Sequence, residues 1–213
     1  MTLKVVKTAQ LEQVRKMATD KGVDSPMFQT NGLDNGLIAR ALDAVRYDHD
    51  ILVVPKITAP VGGRIHILDG IPVVQDGDWD LAINNAGPNT GKDWDVRKVE
   101  HLYLPTGTGL QSCRLLLLNN NGAGWQAALT WAKQYPQLKP TAPRHVFAIG
   151  ETQPNLHKKL GMNPMYVVAT TECSFEGNQR ACGVWWDGAE REASLFWVSR
   201  FASSDDWFVF LCE

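Results

Sequence analysis

Several things are scarce or missing in this 213-residue chain, and each absence removes a class of function. An excess of one charge is missing. Lys and Arg number 21 against 23 Asp and Glu, a net charge of -2 with no basic run and no acidic tail. A dedicated nucleic-acid binder carries an electrostatic footprint that this chain lacks. Long apolar runs are missing too: residues 115–118 and 207–212 are far too short to span a bilayer. The opening Met-Thr-Leu-Lys-Val-Val-Lys has no signal-peptide apolar region, so a soluble, cytoplasmic protein is expected. Cysteine is sparse, with 4 residues and no CxxC or His/Cys spacing, so no metal site is expected. Glycine is almost absent from residues 1–30, where Gly22 stands alone. A dinucleotide turn has no place there, and no cofactor is expected.

What the sequence does have is concentrated in Met165 to Glu213. Trp185, Trp186, Trp197 and Trp207 lie there, with most of the Phe and three of the Cys. From Met165 the chain alternates: Val167, Ala169, Thr171, Cys173 and Phe175 fall on one side, Tyr166, Val168, Thr170, Glu172 and Ser174 on the other. Period two with β-branched and aromatic residues marks a strand. Gly177-Asn178 suits a two-residue hairpin turn. That turn would set Glu176 against Gln179, Cys173 against Cys182 and Thr170 against Trp185. It also puts Val184 and Trp186 on the Cys173 face. After a second turn at Asp187-Gly188, Ala193, Leu195 and Trp197 join that face. The run Trp207 to Cys212 is apolar on both sides and should be covered on both. The expectation is a four-stranded antiparallel meander with one face on the core. Cys173 and Cys182 would be close enough for a disulfide. Since nothing indicates export, two buried thiols are the favoured reading.

Upstream, Thr8 can cap a helix to about Lys21, and Asp34 a second ending near Tyr47. Residues 51–54 read as a short strand. Residues 64–68 and 71–75 read as a hairpin about Asp69-Gly70, with Pro72 marking an edge. Residues 76–98 look like loop, and 99–104 like a strand. A different rhythm follows: a strand at 114–118, a helix at 122–135, a strand at 145–149 and a short helix at 154–160. That order allows a small parallel section, and a wholly antiparallel sheet stays open as the alternative. The fold class is therefore α+β: one globular domain with a mixed sheet and N-terminal helices packed on it. Its parts are helical residues 1–50, an irregular middle at 51–110 and a sheet core at 111–213.

Several motifs fail on inspection. Asp76, Asp78 and Asp80 begin like an EF-hand loop, but Leu81 stands where the turn glycine belongs and Gly87 where the closing glutamate belongs. Asn84-Asn85-Ala86-Gly87, with Tyr135 and Lys139, resembles pieces of the short-chain dehydrogenases. The glycine-rich turn is missing, however, and Pro136 and Pro140 break the helix that would hold Tyr135 and Lys139 together. Arg180-Ala-Cys-Gly183 resembles an acetyltransferase pyrophosphate loop, yet it sits within a strand instead of opening a helix. Cys113 has no histidine at a diagnostic spacing. His49, between Asp48 and Asp50, reads as a surface helix end.

Two places carry a functional expectation. If strands 114–118 and 145–149 are parallel neighbours, the segments leaving their carboxyl ends form a site, as in open α/β sheets. Asn119, Asn121 and Gly124 would bind the ligand, and Glu151 would be the catalytic acid or base. Alternatively, Trp185 and Phe196 form an aromatic patch on the meander's second face, suited to a protein partner or to a homo-oligomer. The sequence favours the second: a non-catalytic binding or assembly protein, with a small cytoplasmic hydrolase or transferase as the alternative.

Overall fold

The computed structural model describes residues 56–213 apart from Asp93, Pro105 and Thr106, all within one compact unit. The expected helices at 8–21 and 34–47 and the strand at 51–54 lie outside the described residues.

The fold is α+β, built on a mixed sheet of eight strands. Strand β1 is Arg64–Val74 and β2 is Leu110–Asn119. Strands β3 to β7 are Leu138–Pro140, Met165–Ala169, Cys173–Phe175, Asn178–Asp187 and Glu190–Trp197, and β8 is Asp206–Cys212. Helices α1 (Trp79–Ala86), α3 (Pro143–Thr152) and α4 (Leu156–Leu160) pack on one face with Leu115, Leu117, Val167, Val184, Trp186 and Trp207. Helix α2 (Trp125–Ala132) covers the other face, against Leu116, Leu118, Val168, Phe208 and Phe210. Each helix layer thus takes alternate residues of the same strands, as the pleat requires.

The meander stops one strand short. Arg180 pairs with Cys173 on one side and Trp197 on the other, so β4 and β5 run end to end along β6 and β7 takes its far edge. Strand β8 leaves this ribbon and inserts between β2 and β4, antiparallel to the first and parallel to the second. Its apolar run from Trp207 onwards fits that central place: Trp207 and Val209 face α3, Phe208 and Phe210 face α2. A strand buried on both faces loses the alternation that marks a solvated one.

The first hairpin register also differs. Phe175 pairs with Asn178, which leaves Glu176 and Gly177 in the loop with φ of 50° and 74°. A type I′ turn needs positive φ at both loop residues, and Glu176 supplies the first of them. Cys173 therefore faces Arg180, with Cys182 one diagonal step away on the same face, and both thiols are free. Between β4 and β5 the chain bulges away from β6. There Thr170 turns to the adjoining strands: its hydroxyl donates to Val209 O (2.7 Å) and accepts from Thr141 N (3.0 Å). Trp185 accordingly lies opposite Tyr166, not Thr170.

Three other segments depart from the expected pattern. Residues 64–74 form one edge strand in which Asp69-Gly70 is a bulge facing Arg114, with Gly70 at φ 68°. A turn-forming dipeptide serves equally well as a bulge when the strand continues beyond it. Residues 145–149 are helix, not strand, and lie within α3. Their burial on nearly every side erases the helical period, while Pro143 at the first turn is the residual helix signal. Residues 79–86 form α1 where loop was expected. Asp78 Oδ1 accepts from Leu81 N at 2.6 Å, and Trp79, Ile83 and Ala86 make the buried stripe. Residues 100–102 are a 3₁₀ turn where a strand was expected.

Candidate functional site

The residues singled out in the Asn-rich turn hold the structure together. Asn119 ends β2, is buried, and donates through Nδ2 to Ser204 O (2.6 Å) and Asp206 O (3.1 Å). Its Oδ1 accepts from the backbone N–H of Asn121, which sits in the left-handed region at φ 55°. Gly124 O accepts from Asn120 Nδ2 at 2.7 Å and from Ala128 N at the start of α2. These bonds tie the turn to the loop that precedes β8. Glu151 lies elsewhere, exposed on the last turn of α3, where it accepts from Asn85 Nδ2 of α1 at 3.0 Å. With residues 145–149 helical, no pair of strand ends brings Glu151 to the Asn turn.

Trp185 and Phe196 do share one face. Trp185 is half-buried and stacks on Tyr166 with centroids 6.2 Å apart, and Tyr166 meets the edge of Phe196 at 5.8 Å. Arg200 covers much of this surface, its guanidinium carbon 4.0 Å from the Tyr166 centroid and 4.9 Å from that of Phe196. Glu192 pairs with Trp185 across β6 and β7, and burial pushes its carboxyl above the ordinary range.

A cleft of about 180 Å³ opens on the opposite face of the sheet, over α1 and the start of α3. Its described walls are Gln75, Asp76 and Gly77 after β1, Trp79 of α1, Glu100 of the 3₁₀ turn with Tyr103 and Leu104 after it, and Ala142, Pro143 and Arg144. Local sequence explains each placement. Asp78 caps α1 and so fixes Trp79, whose indole N–H donates to Val96 O at 2.9 Å and whose ring meets Phe147 edge-on at 5.2 Å. Pro143 starts α3 and sets Arg144 in its first turn. The Arg144 guanidinium lies over the Trp79 ring at 5.3 Å, and its Nη2 donates to Glu100 Oε1 at 3.0 Å. Its Nη1 is buried, and no acceptor among the described residues meets it. Asp76 Oδ1 accepts from Gly109 N at 2.9 Å, which anchors the outer lip.

Tyr103 closes the inner end. Its ring stacks on Trp79 at 6.4 Å, and its hydroxyl accepts from Cys182 Sγ at 3.5 Å. Burial, with the adjoining Cys182 and Cys173 thiols, pushes the phenol far above its ordinary range, and burial likewise pushes the Cys182 thiol up. All three groups therefore stay neutral at physiological pH, which makes this end a wall and not an acid or base. Trp79, Tyr103 and Arg144 escaped sequence reasoning. The helical period of Trp79, Ile83 and Ala86 behind a capping Asp78 was a legible sign for the first, but nothing in the order of residues links Arg144 to Glu100.

Among the described residues no three His, Cys, Asp or Glu side chains converge as metal ligands, and no helix is long and apolar enough to cross a membrane. No protein-family model matches the chain, and no curated protein and no solved structure matches it significantly.

Proposed function

We propose that the protein acts by binding rather than by catalysis, and that the cleft between α1 and the start of α3 holds a small molecule. One observation carries this reading. Arg144 is laid over an indole and tied to an exposed carboxylate, in the wall of an open concavity whose other walls are aromatic and apolar. The volume sets the size of the ligand, since pockets for drug-sized molecules begin at roughly 300 Å³. The hydrolase or transferase alternative draws less support. Its acid or base, Glu151, is exposed and already bonded to Asn85.

The test is a fragment titration followed by the indole N–H resonance of Trp79. Binding fragments should move that signal in the parent protein and leave it in place in Arg144→Gln. Fragments that bind but leave Trp79 unmoved would locate the binding function elsewhere.

A second reading keeps the aromatic surface, because Tyr166 and Trp185 stack as a half-buried pair outside the α2 contact. If that surface joins two copies of the chain, Trp185→Ala shifts the sedimentation coefficient towards the monomer.

A further inference from the structure

We infer that the outer edge of β1 binds an extended peptide alternating apolar and acidic residues, which joins the sheet as one more strand. Among the described residues β1 pairs only with β2. The hydrogen-bond phase fixes which of its groups are left over. Gln75 N donates to Gly109 O at 2.9 Å, so Val73 and Ile71 also turn their backbone groups to β2. Pro72, with no N–H to offer, turns outward. Counting along β2 past the bulge, Leu115, Leu117 and Asn119 bond to Leu68, His66 and Arg64. The N–H and C=O of Ile65 and Ile67 therefore point away from the sheet, and no backbone group among the described residues meets them.

Open edges are normally blunted by bulges, proline or charge. The second half of β1 has all three: the Asp69-Gly70 bulge, the Asp69–Arg114 ion pair at 3.0 Å and Pro72. The first half, residues 64–68, is regular and keeps isoleucine at both outward positions, with Ile67 36% exposed. A guest strand sends alternate side chains to the two faces of the sheet. On one face it meets Ile65 and Ile67. On the other it meets two exposed cations: Arg64, its guanidinium carbon 5.2 Å from the Trp207 centroid, and Lys159 of α4 beside His66. Among the described residues neither cation has a carboxylate in ion-pair range. Burial and then the Lys159 charge lower the His66 pKa, so that histidine stays neutral at physiological pH. Acidic side chains on this face of the guest complement Arg64 and Lys159, while main-chain bonds to Ile65 and Ile67 hold it. A second copy of the chain, paired edge to edge, would instead set these cations against their own duplicates.

The test follows backbone amide exchange in the full chain while peptides are added. A short peptide alternating valine and glutamate should bind and slow exchange at Ile65 and Ile67. Arg64, His66 and Leu68, already bonded to β2, should exchange as before. A twin with lysine for glutamate should bind roughly tenfold or more weakly, and so should a twin N-methylated at its valines, whose N–H groups face β1. N-methylation at the glutamates, whose N–H groups face away, should leave affinity unchanged. Ile67→Pro removes an outward donor without touching the β2 ladder and should weaken every peptide, whereas Arg64→Gln and Lys159→Gln should weaken the glutamate peptide alone. Circular dichroism guards the variants against unfolding, and the N-methylated twins test the same bonds on the unaltered chain. Equal binding of the lysine twin, protection at other amides, or no binding by any peptide overturns the inference. So does protection of Ile65 and Ile67 in the free chain: at all concentrations it would mean an edge already covered, and rising with concentration it would mean a second copy.

Discussion

Thr90 shows how a single side chain takes over the task of a missing strand. Strand β7 is an edge, and the N–H and C=O of Ala193 on it point away from β6. The Thr90 hydroxyl accepts from that N–H at 2.8 Å and returns a bond to that carbonyl at 3.3 Å, and both residues are buried. Thr90→Val keeps the shape and removes both bonds, leaving two backbone groups dry and unmet. It should cost about 2–3 kcal/mol, read as a lower urea midpoint at unchanged slope, whereas Thr90→Ser should cost much less. An unchanged midpoint for Thr90→Val would mean that water reaches this edge. Such pairings are invisible in sequence because the partners lie far apart along the chain. The same holds for Arg144 with Glu100. The hairpin register failed for a more local reason: glycine was expected to lead the turn, but Glu176 adopts the left-handed conformation itself.

Helices α1 and α3 meet backbone to backbone at Gly150. A methyl group built there would lie 2.7 Å from Ala86 O and 3.0 Å from Ala86 Cα, atoms that cannot swing aside. Gly150→Ala should therefore force the two helices apart and cost about 2 kcal/mol. Because Trp79 and Arg144 ride on those two helices, ligand binding at the cleft should weaken with it. Differential scanning calorimetry checks the first effect, and a stability equal to the parent would show that the helices tolerate separation. Element types were legible where one face met water, as in α2 and in α4. Under full burial the pattern is ambiguous: residues 115–118 read as a strand and are one, whereas residues 145–149 read the same way and are helix. The dense Asp and Asn of residues 76–85 hid α1, although its cap and stripe follow the helical rule.

For the whole molecule, acid is the condition to which stability should respond first. Burial lowers the affinity of His145 and His157 for a proton, so the fold favours their neutral forms. The unfolded chain binds protons near pH 6.5. Stability from these groups is thus complete above that value and is lost as pH falls below it, by up to about 1.4 kcal/mol per pH unit per histidine. Asp206 and Glu192 act with the opposite sign. Burial raises both carboxyls, so the fold recovers some stability as they take up protons at lower pH. A plot of unfolding free energy should therefore fall from pH 7 towards 5.5 and flatten further down. His145→Gln should reduce the slope of the first limb, and a curve that is level between pH 7 and 5.5 would contradict this account. The parallel pair that makes the sheet mixed is β4 with β8, not residues 114–118 with 145–149, but the α+β class was readable at this scale, since turn residues and alternation marked most strands. The strand order was not, because one apolar segment suits an edge ribbon or a sheet centre equally well.

The insertion of β8 between β2 and β4 has a consequence for how the chain reaches its final form. Until Asp206–Cys212 docks, the β1–β2 pair and the β4–β7 ribbon are two half-sheets with bare, greasy borders and nothing to join them. Those unzipped borders are prone to stick to one another during synthesis, and the segment that seals them is made after both half-sheets.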